Sequence, residues 1–292
     1  MDPFDCFSDS KLVHFQLIFN IFQQYHGRTK HFEIRTTEEF QRHHLPTATL
    51  VPLEIFTGSI RLSDISRFTD TSKLRRQCII ISFSECLQPQ AEILRKLLLR
   101  NKCKEIHMLG DIEEFIERYS FLIDDHRVKE YPNEMIPNFL YLGSEEQAHN
   151  AHIIQNLKIT HIVNATKSSP NKFHEIKYCK VTVADQEDEK ISRFFQKAYC
   201  FIESAMHENQ LGAKNVVLVH CAHGVSRSAT LVVMFLMRTF GMSLENSMKH
   251  VKKHRNKAEP NPGFIKQLEE FYCNRFKFSR SFAGNLILQL EE

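Results

Sequence analysis

The sequence predicts an α/β protein built from two domains. Three observations carry that expectation. Short apolar runs of strand character alternate with helix-spaced apolar residues through the first 124 positions, the rhythm of a sheet covered by helices. DDHRVKEYPNEMIPNF (124–139) then breaks the rhythm with two prolines and many charges. Further on, NVVLVHCAHGVSRSATLVVMFLMRTF (215–240) reads as an apolar strand, a tight loop and an apolar helix. A length of 292 residues suits two domains better than one. The expected boundaries are 1–124 for the first domain, 125–134 for a linker, 135–280 for the second domain and 281–292 for a tail.

Composition narrows the function classes. Hydrophobic residues at 42% and charged residues at 25% are ordinary globular usage, which excludes wholesale disorder. A formal charge of 38 − 35 = +3 does not point to nucleic acid. No apolar run approaches the roughly 20 residues that a membrane span needs, and MDPFDCFSDS lacks the basic start and apolar stretch of a signal peptide. The expected setting is therefore cytoplasmic, with the nucleus open as well. Eight cysteines are spread over the chain without a C-x-x-C pair, so reduced thiols are expected and a zinc site from cysteine alone is not. No metal and no cofactor are expected at the functional site. Against 24 Phe there are only 9 Gly, so each glycine is expected where the backbone demands it.

In the first domain, His31–Arg35 reads as a strand. Thr36 caps a helix whose first turn carries Glu38 and Glu39. Ile79–Ser82 is a compact apolar strand, Ala91–Leu99 has helical spacing (Ile93, Leu94, Leu97, Leu98), and Glu105–Leu109 is a strand again. Glu33-Ile34-Arg35, Thr37-Glu38-Glu39-Phe40, His44-Leu45-Pro46-Thr47-Ala48, Ile79–Ser82 and Met108-Leu109-Gly110 with Phe115 and Tyr119 together resemble a rhodanese-like domain over roughly residues 10–124. A sulfurtransferase needs a cysteine at the start of the loop after the central strand. Here that loop is Phe83-Ser84-Glu85-Cys86-Leu87-Gln88-Pro89, with Cys86 late, an acidic neighbour and no arginine. Cys86 is expected to be a buried structural cysteine and the domain non-catalytic.

The chemistry is expected in 215–240. A strand ending at His220, a loop Cys221–Arg227 and a helix from Ser228 form a geometry in which backbone N–H groups converge on an anion. Gly224 lets the loop turn. Arg227 offers a planar fork to two phosphate oxygens, and the backbone of Ala222, His223, Gly224, Val225 and Ser226 completes the cradle. Cys221, at the loop's start, is expected as a thiolate that attacks phosphorus. Ser228 would assist its departure, and His220 would orient the loop. This H-C-x-x-G-x-x-R-S run is the signature of cysteine-dependent protein phosphatases, and the chain resembles their dual-specificity branch.

That chemistry also needs a proton donor for the leaving oxygen. Lys180–Asp185 reads as a strand running into a loop, with a helix from about Ile191. The resemblance puts the acid at the end of that strand, which is Asp185, with Asp188 as the competitor. Glu187 and Glu189 crowd the same loop, and like charges raise a carboxyl's pKa. The resemblance extends over about residues 131–275, through Pro137–Ser144, Asn156–Thr166 and Pro260-Asn261-Pro262-Gly263-Phe264 with Gln267-Leu268. The last cluster is a strong loop signal before a helix with apolar residues at 264, 265, 268 and 271.

The resemblance implies a shallow pocket taking phosphotyrosine and phosphoserine or phosphothreonine on proteins. A rhodanese-like domain followed by a dual-specificity domain is the order of the MAP-kinase phosphatases, which implies a MAP kinase as partner. The arginine cluster of that family is thin here: Ile55–Arg61 holds one arginine, and Lys73-Leu74-Arg75-Arg76 is the basic run nearby. The alternative is a phosphoprotein-binding scaffold of the pseudophosphatase kind, against which Cys221 and Arg227 both stand. Met248–Lys257 is read as a solvated helix face rather than a nucleic-acid or import patch.

Overall fold

Strand and helix propensities are realised in a computed structural model that describes residues 10–25, 28–124 and 127–273. The expected tail 281–292, the last residues of the expected second domain, and positions 125–126 of the expected linker lie outside the described residues. The chain forms two compact units, one of Lys11–Lys129 and one that runs on from Glu130 and also takes in Ser10.

Among its described residues the first unit holds four strands: β1 (Thr29–Ile34), β2 (Ala48–Val51), β3 (Cys78–Phe83) and β4 (Glu105–Leu109). They form a wholly parallel sheet in the order β2-β1-β3-β4. β3 is apolar at five of its six positions (CIIISF) because every one is buried, as parallel sheets covered on both faces require. Thr36 caps the helix Thr37–Arg42 in a full capping box with Glu39. The helix Gln88–Arg100 buries Ala91, Leu94 and Leu98. Arg35, which is 1% exposed, pairs with Glu33 at 3.4 Å and Glu113 at 2.9 Å and donates to the His43 carbonyl at 3.1 Å. Cys86 departs from expectation. It is exposed, because it sits past the end of β3 on the short turn Glu85–Leu87 rather than under the sheet.

The second unit holds β5 (Asn133–Ile136), β6 (Leu140–Ser144), β7 (His161–Asn164), β8 (Lys177–Lys180) and β9 (Val217–Cys221). Their order is β5-β6-β9-β7-β8, with only β5 antiparallel. β9 is central and entirely buried. The helix Arg227–Phe240 is buried at every position from Ser228 to Met237, which explains its near-continuous apolar run. It stops where Gly241 turns left-handed at φ 68°.

The strand expected over Lys180–Asp185 ends at Lys180 instead. The last ladder bond runs from Val181 N–H to the Asn164 carbonyl, where β7 itself ends. Val181 and Val183 stay buried, so the segment continues extended but unpaired. The loop that follows is held by the helix spanning 262–273, where Gln267 donates to the Glu189 carbonyl. A Cβ on Gly263 would stand 1.9 Å from the Glu187 carbonyl oxygen. Gly263→Ala must therefore push two backbones apart. The expected cost is about 1–3 kcal/mol, the usual range for overpacking, read as a lower denaturation midpoint at unchanged m-value.

Candidate active site

Cys221 is the last residue of the central strand, and Arg227 is the first residue of the helix that follows. The five residues between them form a loop whose carbonyls all accept hydrogen bonds, four of them from other parts of the chain and the fifth from the helix that follows. The Ala222 carbonyl accepts from Glu145 N–H at 3.2 Å, Val225 from Glu259 N–H at 2.8 Å and Ser226 from Thr230 N–H at 2.9 Å. Arg255 covers the other two, with Nε donating to the Gly224 carbonyl at 2.8 Å and a terminal nitrogen to the His223 carbonyl at 3.2 Å. In a trans peptide the N–H points opposite to the C=O, so carbonyls held outward leave the loop's N–H groups facing inward. Together with the helix N-terminus they make an anion cradle. Gly224 makes the turn at φ 68°, and a Cβ there would stand 2.5 Å from the Gly143 carbonyl oxygen.

The thiol lies within this cradle. Cys221 is 1% exposed, and burial alone would raise its pKa. That effect is outweighed by the Ser228 hydroxyl, which donates to Sγ at 3.1 Å, by the Ser228 N–H, by the Arg227 charge and by the Val225 N–H. The net direction is downward, toward thiolate. His220, also 1% exposed, is pushed down to about 4 chiefly by burial, so it is neutral at physiological pH and packs 6.3 Å from the His149 ring.

Of the two carboxylates weighed for the acid, the structure brings Asp185 to the loop. Its Oδ1 accepts from the Ser226 hydroxyl at 2.6 Å and from Asn261 Nδ2 at 3.0 Å, and Oδ2 lies 3.6 Å from Arg227 Nε. Its neighbours are thus donors and a cation rather than the like charges that the sequence suggested. Among the described residues the Asp188 carboxylate, which is exposed, makes no hydrogen bond or ion pair. Arg227 also donates to the Val183 carbonyl at 3.3 Å, so among the described residues its hydrogen bond and its ion pair both come from the 183–185 segment.

Three residues here escaped the sequence reading in whole or part. Ser226 donates to Asp185 while accepting Asn261 N–H at 3.1 Å, so one hydroxyl joins the cradle to the carboxylate. Asn261 was visible only as part of a proline-rich loop, yet its Oδ1 also caps the last helix at Phe264 N–H, 2.9 Å away. Arg255 stood in the basic run read as a solvated face. It is fully buried, as is His254, because the run ends as the helix Leu244–His254 turns beneath the loop. Burial draws the Arg255 pKa down to about 10, which leaves it a cation, and Asn133 accepts its third bond at 2.6 Å.

The family described as dual specificity phosphatase, catalytic domain, matches residues 140–274. A Slingshot homolog protein phosphatase of Xenopus laevis is 37% identical over 164 residues, 56% of this chain and 23% of that protein. A probable rhodanese domain-containing dual specificity protein phosphatase of Dictyostelium discoideum is 33% identical over 192 residues, 61% of this chain and 39% of that protein. The chain thus spans well under half the length of both. Dual specificity protein phosphatase 1 of Arabidopsis thaliana is 37% identical over 145 residues, 48% of this chain but 71% of that protein. With most of that smaller relative covered, the chain belongs to the dual-specificity phosphatase family.

Proposed function

We propose that this chain hydrolyses phosphotyrosine and phosphoserine or phosphothreonine on proteins through a phosphocysteine intermediate. The observation that carries the reading is a buried thiol held toward thiolate by Ser228 at 3.1 Å, within a loop whose N–H groups face inward. Cys221 Sγ attacks phosphorus as the bond to the leaving oxygen breaks, and Asp185 passes its proton to that oxygen. Water then attacks phosphorus, the S–P bond breaks, Asp185 takes the water's proton and the Ser228 hydroxyl stabilises the departing thiolate. Inward N–H groups of 223–227, the remaining backbone of the loop from Ala222 and the Arg227 fork bind the phosphoryl oxygens throughout. His220, neutral and buried, takes no proton.

The first unit we infer to be rhodanese-like and non-catalytic. Its wholly parallel order β2-β1-β3-β4 supports this, as does a loop after β3 in which Cys86 is exposed beside Glu85 with no arginine in the loop. The two-domain order makes MAP kinases the narrower substrate proposal. Arg75 and Arg76, both exposed on the turn Leu74–Arg76, are the docking candidates.

Hydrolysis of a small aryl phosphate near pH 6, in reductant, tests the main reading. Wild type is expected to turn over and Cys221→Ser to bind phosphopeptide without turnover. A folded, reduced wild type without turnover would instead make the cradle a binding site and the chain a scaffold. Asp185→Ala is expected to slow poor leaving groups by about 10²–10⁴-fold, with Asp188→Ala near wild type; the reverse pattern would reassign the acid. Binding to an activated MAP kinase is expected to weaken in the Arg75→Ala/Arg76→Ala double variant, and unchanged binding would remove the docking proposal.

A further inference from the structure

The parallel register of β3 and β4 sets Cys78 opposite Glu105. Partnered residues of neighbouring strands leave the sheet on one face, and so does the residue two positions on. Cys78, Glu105 and His107 therefore converge, and their donor atoms all lie within 4.8 Å of one another. His107 Nε2 is 3.5 Å from Glu105 Oε1. β4 is an edge strand, so the cluster grades outward from a buried Cys78 through a half-buried His107 to an exposed Glu105.

We propose that Cys78, Glu105 and His107 form a binding site for a divalent cation of the zinc class, with water completing the coordination. One thiolate, one imidazole and one carboxylate favour a borderline-soft ion over magnesium or calcium, which prefer oxygen donors alone. Tetrahedral zinc, with sulfur at about 2.3 Å and nitrogen or oxygen at about 2.0–2.1 Å, needs its donors roughly 3.3–3.6 Å apart. The donor atoms, all within 4.8 Å of one another, must draw together to reach that spacing. Binding breaks the Cys78 S–H bond, forms Sγ–Zn and releases the proton to solvent. Without metal, burial, reinforced by Glu105, pushes the Cys78 thiol up to about 12, so it stays protonated. A dication at bonding distance reverses that preference. The site lies within the first unit and does not depend on the phosphatase reading.

Cobalt(II), followed by zinc(II), titrated into the full, reduced chain carrying Cys221→Ser tests this without interference from the active-site thiol. One cobalt per chain is expected, with a thiolate-to-cobalt charge-transfer band that one equivalent of zinc displaces. Cys78→Ser should abolish the band. His107→Gln, at a half-buried edge position that tolerates the change if Cys78→Ser unfolds, should weaken cobalt binding at least tenfold with circular dichroism unchanged. Absence of a thiolate band in the parent would overturn the proposal. So would a band and affinity that survive both substitutions, which would place the metal on other thiols such as the exposed Cys86, Cys200 or Cys273.

Discussion

A guanidinium without access to water gives the signature loop its shape. Arg255 is fully buried and spends its donors on the His223 and Gly224 carbonyls and on Asn133. Those two carbonyls cannot turn inward while Arg255 is in place, so the N–H groups behind them must face the cradle. Each carbonyl left unmet would cost about 1–3 kcal/mol. The same residue ties three stretches far apart in sequence, β5 through Asn133, the end of the helix Leu244–His254, and the loop itself. Its cation also lies close enough to interact with Cys221. The loop's shape is therefore fixed by bonds within the chain, which lowers the ordering cost of binding an anion.

The sheet then decides where this cradle opens. In open α/β sheets ligands meet the C-terminal ends of parallel strands, and β9 is flanked by parallel neighbours on both sides, β6 and β7. Cys221 ends β9, and the next residue begins the loop. The extended but unpaired segment after β8 brings Asp185 to the same end. Freed from a ladder, that segment is positioned by side chains and by the last helix, which is why its carboxylate meets Ser226, Asn261 and Arg227 together.

Local features were legible in the sequence wherever residue type and immediate spacing set them. The Thr36 N-cap, the buried run of β3 and the strand, loop and helix around Cys221 are of that kind, since each depends on neighbours within a few positions. Features set by distant partners were not. Arg255 reads as one more charge in a basic run until the chain turns it under the loop. The end of β8 depends on where β7 stops, which nothing in 177–185 records. Cys86 was rightly placed in the loop after β3 but is exposed, because whether a loop residue is covered depends on how the turn Glu85–Leu87 lies against the rest of the unit, which local sequence does not record. Cys78 and Glu105 come together only through strand register, which no local spacing encodes.

Gly263 has a consequence for how such a domain can diverge. Its hydrogen takes the place of a methyl group that the Glu187 carbonyl would not admit. Gln267 fastens the same two segments, donating to the Glu189 carbonyl at 2.8 Å and accepting from Ser192 N–H at 3.0 Å. The loop bearing Asp185 and the start of the last helix thus behave as one packed module, although a long stretch of chain separates them. A loop of different length or course cannot be grafted into one without redesigning the other, so exchanges between relatives must carry both segments together.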